Sequence, residues 1–223
     1  VRGIQSHGSE VESVQQGDRA AVNLSGVDKE KIFRGSELAL PGKLKSIDKF
    51  TAHIQLASEI KKNLKHRQRV RVHLGTMEVL GRGYLAGHKK LPAGSKANVI
   101  LNLEKFVVAA SGDRLVLRTY SPMTTIGGGM VLTTFISKGA KVGSWVSTLD
   151  VDPVQRFGQL VDSFSTQPHT ISEWALLNQC TDEKVNKWIA KLDLQTTKKD
   201  IVFTHKILEE CKKIIVSTLN IFH

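Results

Sequence analysis

The 223-residue sequence predicts a mainly β chain followed by an α+β segment. Three observations carry this. Apolar residues alternate with polar ones over much of the first 136 residues. Glycine-rich turn signals interrupt the alternation at short intervals. Beyond Pro153 the apolar period lengthens to that of a helix.

Residues 1–42 read as β. Ala20, Val22 and Leu24 alternate with Arg19, Ala21 and Asn23, while Gly17-Asp18, Ser25-Gly26 and Arg34-Gly35 supply turns. Three short strands are too few to close a barrel. The segment is therefore expected to be the C-terminal half of a barrel, and a start at Val1, without Met or signal peptide, reads as a start inside a longer chain.

Residues 43–137 predict a complete barrel. Phe50, Ala52, Ile54 and Leu56 form one stripe, Val70, Val72 and Leu74 a second, and Ala97, Val99, Leu101 and Leu103 a third. Leu115 and Leu117 begin a fourth, and Met130 to Phe135 make a final apolar strand. Residues 138–152 are expected to be a linker. From Pro153, Phe157, Leu160, Val161 and Phe164 share one helix face; Ile171, Trp174 and Ala175 share another; Val185, Trp188, Ile189 and Leu192 share a third. Two short β segments flank Lys198-Lys199-Asp200. Three helices and a hairpin within 153–205 predict a winged helix, folding as its own unit. Residues 206–223 form a long amphipathic exit helix, with Ile207, Cys211, Ile214, Ile215, Leu219 and Phe222 on its apolar face. That face needs a cover, so a further winged helix is expected beyond His223.

Charge is distributed unevenly. Residues 43–136 hold 16 Lys or Arg against 5 Asp or Glu, so the whole +11 of the chain resides there. Such concentration suits a polyanion-binding surface; the plainer alternative is a soluble basic domain. In Arg67-Gln68-Arg69-Val70-Arg71-Val72-His73, period two places Arg67, Arg69, Arg71 and His73 on one face, with Lys61, Lys62, Lys65 and His66 leading in. Guanidinium groups in a row suit phosphates, which accept paired hydrogen bonds. Few aromatics interleave, which favours an A-form helix over stacked single strands. A solvated basic face is the alternative.

Several chemistries are excluded or disfavoured. No run of about 18 apolar residues occurs, so no membrane span is expected. Cys180 and Cys211 have neither CxxC nor zinc spacing and read as reduced core thiols of a cytoplasmic protein. The eight histidines form no metal-binding pair, so no metal is expected. Gly127-Gly128-Gly129 is followed by strand sequence rather than a helix, so it reads as a bulge or a close backbone approach instead of a phosphate cradle. No Gly-x-x-x-x-Gly-Lys-Ser/Thr loop exists, so no nucleotide hydrolysis and no cofactor are expected in this chain.

The block from Val1 to Gly42, with Val-Arg-Gly-Ile-Gln, Gly-Asp-Arg-Ala-Ala-Val-Asn-Leu-Ser-Gly-Val and Ile-Phe-Arg-Gly-Ser-Glu-Leu-Ala-Leu-Pro-Gly, resembles the second half of domain II in the elongation factor Tu superfamily. Gly112 to Leu132 is similar to the end of domain III in the SelB-type selenocysteine-specific elongation factors, and the helices that follow strengthen that choice. The resemblance implies a domain II-like partial barrel, a domain III-like barrel and a winged helix. It implies delivery of selenocysteinyl-tRNA to the ribosome at recoded UGA codons, with GTP and Mg held by a GTPase domain absent here and a messenger RNA hairpin read by later winged helices. It implies tRNA contact by the second barrel, at Arg67, Arg69, Arg71, His73 and Gly128. It also places Arg19 in a pocket for the selenocysteine, whose selenol is an anion at neutral pH; the alternative is an Arg19 paired with Asp18 or Glu12. The winged helix reads mainly as a spacer, because Asp182 and Glu183 open its third helix. Another translation GTPase and a winged-helix regulator remain as alternatives.

Overall fold

The computed structural model describes residues 1–60, 63–136, 144–164 and 167–221. The chain divides into two compact units, Val1–Ser36 and Glu37–His223. In the first, β1 (Gly3–Ser6) is the middle strand, with β2 (Ser9–Val11) on one side and β3 (Ala21–Asn23) on the other, all antiparallel. The sheet is open. All three residues of β3 are exposed, Val22 among them, so the expected half-buried strand over 20–24 is shorter and uncovered in this chain.

The second unit is built on a closed barrel. Its strands are β4 (Ser46–Leu56), β6 (Gln68–Leu74), β7 (Met77–Leu85), β9 (Lys96–Val108), β10 (Arg114–Thr119) and β11 (Thr125–Thr133), in the order β10-β11-β4-β9-β7-β6. β5 (Leu64–Lys65) and β8 (Lys90–Leu91) form a separate two-stranded ribbon. The period-two stripes face inward: Phe50, Ala52, Ile54, Val70, Val72, Val99 and Leu117 are all fully buried. Each large apolar side chain so buried contributes about 1.5–3 kcal/mol, and closure leaves the barrel without an edge strand.

The segment expected to be a linker is partly helical. Residues 138–143 lie outside the described ones, but α1 (Ser144–Thr148) docks on the barrel. Val146 is fully buried beside Ala86 and Ile100. Asn98, 9% exposed on β9, donates from Nδ2 to the carbonyls of Val146 (2.9 Å) and Leu149 (2.7 Å). With both amide hydrogens used, its Oδ1 accepts, so His53 Nδ1 at 2.8 Å carries the proton. A five-residue helix has too few apolar positions to show a period, which is why sequence pattern passes it over.

Next come α2 (Pro153–Ser163), α3 (Ile171–Leu177), α4 (Asp182–Lys191), a hairpin of β12 (Gln195–Thr196) and β13 (Val202–Phe203), and α5 (His205–Ile221). Caps fix the starts. Asp152 accepts from the backbone of Val154 and Gln155 ahead of Pro153, Thr170 and Glu173 form a reciprocal capping box, and Thr181 caps α4. The helices pack around Phe157, Trp174, Val185 and Trp188, but their core also takes in Leu132 of β11 and Leu149. Buried Arg156 adds a polar tie, donating to the carbonyls of Asp150 (3.1 Å) and Val151 (2.7 Å) and reaching Ser111 Oγ at 3.4 Å. The helical segment thus shares a core with the barrel end rather than standing as a separate unit.

Two further expectations change. Cys180 is half-buried, but Cys211 is exposed, and both are free. On α5, Ile214, Ile215, Val216 and Leu219 are 56–64% exposed, so most of the apolar face is uncovered in this chain; Phe222 lies outside the described residues.

The three glycines lie inside β11, which starts at Thr125 rather than Met130. An added Cβ would lie 2.3 Å from Gln55 O at Gly127, 2.8 Å from Leu115 O at Gly128 and 2.0 Å from His53 O at Gly129. These are rigid backbone atoms of the flanking strands, so the close-approach reading applies, between strands of one barrel. Gly129→Ala is expected to destabilise the chain by about 3 kcal/mol or more, measured by denaturant unfolding. Gly3→Ala, whose Cβ meets nothing within 4 Å, is the control and should change stability by about 0.5 kcal/mol or less. Equal stability of the two variants would show that β11 does not run this close to its neighbours.

Candidate nucleic-acid interface

The basic strand turns its odd positions outward, because Val70, Val72 and Leu74 fill the barrel. Arg69, Arg71 and His73 line its outer face at partial exposure. Arg67 does not continue the row. It sits in the turn between β5 and β6 with φ of 62°, its N–H donating to Gly83 O at 2.8 Å, and its guanidinium lies 5.6 Å from the Tyr84 ring centre. A left-handed residue breaks the alternation, so period two cannot be extended through it.

The outward arginines are engaged. Arg69 grips Glu104 with two hydrogen bonds, Nε at 2.7 Å and NH2 at 2.6 Å, and lies 4.6 Å from the Tyr120 ring centre. Arg71 pairs with Glu78 and donates from Nε to the Tyr120 carbonyl at 3.3 Å. His73 Nε2 approaches Glu78 at 3.8 Å. Cross-strand register places Arg82 opposite Arg69 and Arg118 opposite Arg71. The face is therefore a lattice of Arg69, Arg71, Arg82 and Arg118 around Glu78 and Glu104, with two positive charges in excess. The guanidinium row expected from sequence is reduced to Arg69 and Arg71, each in a charge-assisted pair.

Gly128 lies on the same outer surface. Register lines it up with Val116 on β10 and His73 on β6, two strands and roughly 10 Å apart. Arg19 lies in the other unit, just before β3. Its carbonyl accepts from Ser6 Oγ at 3.1 Å, and among the described residues it forms no ion pair with Asp18 or Glu12. The Asp18 carboxylate accepts from the Gln15 N–H instead, at 2.8 Å.

Residues missed from sequence are Glu78, Glu104, Tyr120, Arg82 and Arg118. Only Glu78 left a signal: a hairpin turning at Gly75-Thr76 brings it opposite His73. Glu104 is 35 residues from Arg69 and Tyr120 is 49 from Arg71, so nothing local marks them. Lys61 and Lys62 lie outside the described residues. Among the described residues no three His, Cys, Asp or Glu side chains gather as a metal-holding group.

The arginine hydrogen bonds set the acid behaviour of the lattice. The bond from Arg71 holds the Glu78 carboxyl below its ordinary range, and the bond from Arg69 does the same for Glu104. A carboxylate depressed in the folded state stabilises fully above its unfolded pKa, about 4.3, and loses that contribution as pH falls through the lower folded value. Both pairs should thus persist at pH 5 and open only in stronger acid. Carboxyl carbon NMR titration should give both glutamates midpoints below about 4.3. Midpoints at or above it would show that the pairs do not form in solution.

A family model, the selenocysteine-specific elongation factor β-barrel domain, matches residues 51–138. The selenocysteine-specific elongation factor of Desulfomicrobium baculatum is 33% identical over 132 residues, covering 59% of this chain and 21% of that protein. Its counterpart in Methanocaldococcus jannaschii is 30% identical over 142 residues, covering 56% of this chain and 30% of that protein. A crystal structure of translation elongation factor SelB from Methanococcus maripaludis, in apo form, aligns over 60% of this chain and 33% of its own, at 25% identity and a TM-score of 0.49. This chain thus spans less than a third of the curated relatives it matches. Residues 51–138 thus match the β-barrel domain of the selenocysteine-specific elongation factors, and the chain is similar to only part of such a factor.

Proposed function

We propose that this chain is a tRNA-binding part of a cytoplasmic selenocysteine-specific elongation factor. The observation that carries the reading is the location of the charge: the entire excess of +11 lies in residues 43–136, the barrel of that family. The ligand is selenocysteinyl-tRNA, approached through phosphates of an A-form stem, for which Arg82, Arg118 and the paired Arg69 and Arg71 supply the donors. The whole factor delivers that tRNA to the ribosome for UGA recoding. GTP, Mg and their hydrolytic chemistry belong to a domain outside this chain.

The segment from α2 to β13 is read as a winged helix serving as a spacer. Its α4 opens with acidic residues occupied locally: Ser172 Oγ donates to Asp182 at 2.6 Å, and Lys184 lies 5.7 Å from the centre of the Trp188 ring. A helix end arranged in this way repels phosphate rather than reading a groove.

The experiment is a binding titration of this chain with a 20-base-pair RNA duplex between 50 and 200 mM salt. Affinity should fall steeply with salt as counterions are released. Converting Glu78 and Glu104 to Gln adds two positive charges while leaving the arginines in place, and should tighten binding by about tenfold near 100 mM salt. No binding at 50 mM salt, or affinity indifferent to salt, overturns the reading.

Arg19 supports a narrower proposal. A free thiol titrates near about 8.5 and a selenol lower, so the carried selenocysteine is an anion where serine is neutral. A guanidinium unpaired by Asp18 or Glu12 favours the anion by about 1.5–3 kcal/mol, the range of a charge-assisted hydrogen bond. In the full-length factor, Arg19→Ala should erase most of the preference for selenocysteinyl-tRNA over seryl-tRNA. An unchanged ratio of the two affinities removes Arg19 from the pocket.

A further inference from the structure

The β5–β8 ribbon holds like charges together, and among the described residues no carboxylate pairs with them. Its register sets Leu64 against Leu91 and Lys65 against Lys90. Both leucines are buried, so both lysines point outward from the same face, directly opposite each other. A like-charge pair in that position is destabilising, and opposite charges there would be favourable. The neighbourhood does not relieve it. His66, whose N–H donates to Lys89 O at 2.9 Å, Arg67 and Lys89 are all exposed beside the pair. Arg82 reaches in as well, its NH1 donating to the Arg67 carbonyl at 3.3 Å. Among the described residues, Lys65, His66, Arg67, Lys89 and Lys90 enter no ion pair. The contrast is with Arg69 and Arg71 a few residues away, each of which has a glutamate.

We infer that the β5–β8 ribbon is a phosphate-gripping pad for duplex RNA, and that Lys65, Lys89 and Lys90 carry more of the salt-dependent affinity than the paired Arg69 and Arg71. This rests on the reading of the barrel as an RNA-binding domain and adds where on it the phosphates are held. Unpaired ammonium groups release counterions when a phosphate arrives, whereas an arginine already holding a carboxylate must first give it up. Two facing lysines on a narrow ribbon also match a backbone of repeated single negative charges. The strain of the like-charge pair is relieved when phosphate lies between them.

The test uses the full 223-residue chain, a fluorescent 20-base-pair RNA duplex, and vesicles containing phosphatidylserine. Lys65→Ala with Lys90→Ala should weaken RNA binding by about five- to tenfold per lysine near 100 mM salt and lower the salt slope by about two. Arg69→Gln should have a smaller effect on both. Lys90→Glu separates function from folding: a Glu opposite Lys65 should raise the thermal midpoint by about 1–3 °C while binding falls. If the wild-type chain binds RNA and the lysine variants keep its affinity and slope, the pad is wrong and the RNA-binding reading stands. If the wild-type chain binds no RNA, or binds only the vesicles, both are overturned.

Discussion

The narrow passage of β11 between β4 and β10 is the constraint on which the rest of this structure depends. Barrel closure requires every strand to pair on both sides, and β11 does so passing so close to its neighbours that side chains at 127, 128 and 129 would collide with their carbonyl groups. Three consecutive glycines, poor strand formers elsewhere, are what the geometry admits. Beyond them the same strand regains side chains. Val131 faces the barrel core, while Leu132 enters the helical core and Met130 packs against it. One strand therefore closes the first core and begins the second.

That shared strand explains why the junction needs polar seals. Where a barrel end meets helices, backbone carbonyls at the chain reversal lack regular partners, and a buried one left unmet would cost about 1–3 kcal/mol. Asn98 meets two of them, at Val146 and Leu149, and Arg156 meets two more, at Asp150 and Val151. Arg156 bears the larger burden, since burial lowers its pKa, although Asp152 and Asp150 oppose that shift. Three of these bonds, the two from Asn98 and the one from Arg156 to Ser111, fasten α1 and α2 to the barrel, while the other two from Arg156 close the turn into α2. The consequence is mechanical. A helical segment fastened in this way keeps its orientation to the barrel, where a flexible linker would lose it.

How much of this was legible in the sequence follows from the range of each interaction. Strand stripes such as Phe50–Leu56 and helix faces such as Phe157–Phe164 repeat within a few residues, so periodicity finds them. The three helices and hairpin from α2 to β13 are legible as an order of elements, and the proposed winged-helix reading rests on that order. What escaped was non-local or conformational. The partners of Arg69 and Arg71 lie on other strands, and the left-handed turn at Arg67 removes it from a row that spacing alone would include. The glycine run was readable as a close approach, but which backbone it approached depended on the barrel topology.

The two kinds of positive charge on this barrel set different tasks. Arg69 and Arg71 are held in place by carboxylates and by the Tyr120 ring, so their orientation is fixed before any ligand arrives. A preorganised guanidinium gives direction, but its net field is small because Glu104 and Glu78 cancel it at a distance. The ribbon lysines have the opposite character: each is a full charge on a flexible stem, weak in direction and strong in long-range attraction. A ligand approaching the barrel feels the lysines first and meets the ordered arginine lattice only at contact. Attraction and alignment are thus divided between neighbouring strands. On the proposed RNA-binding reading, the two glutamates oppose an approaching phosphate by their charge while orienting the arginines that would meet it.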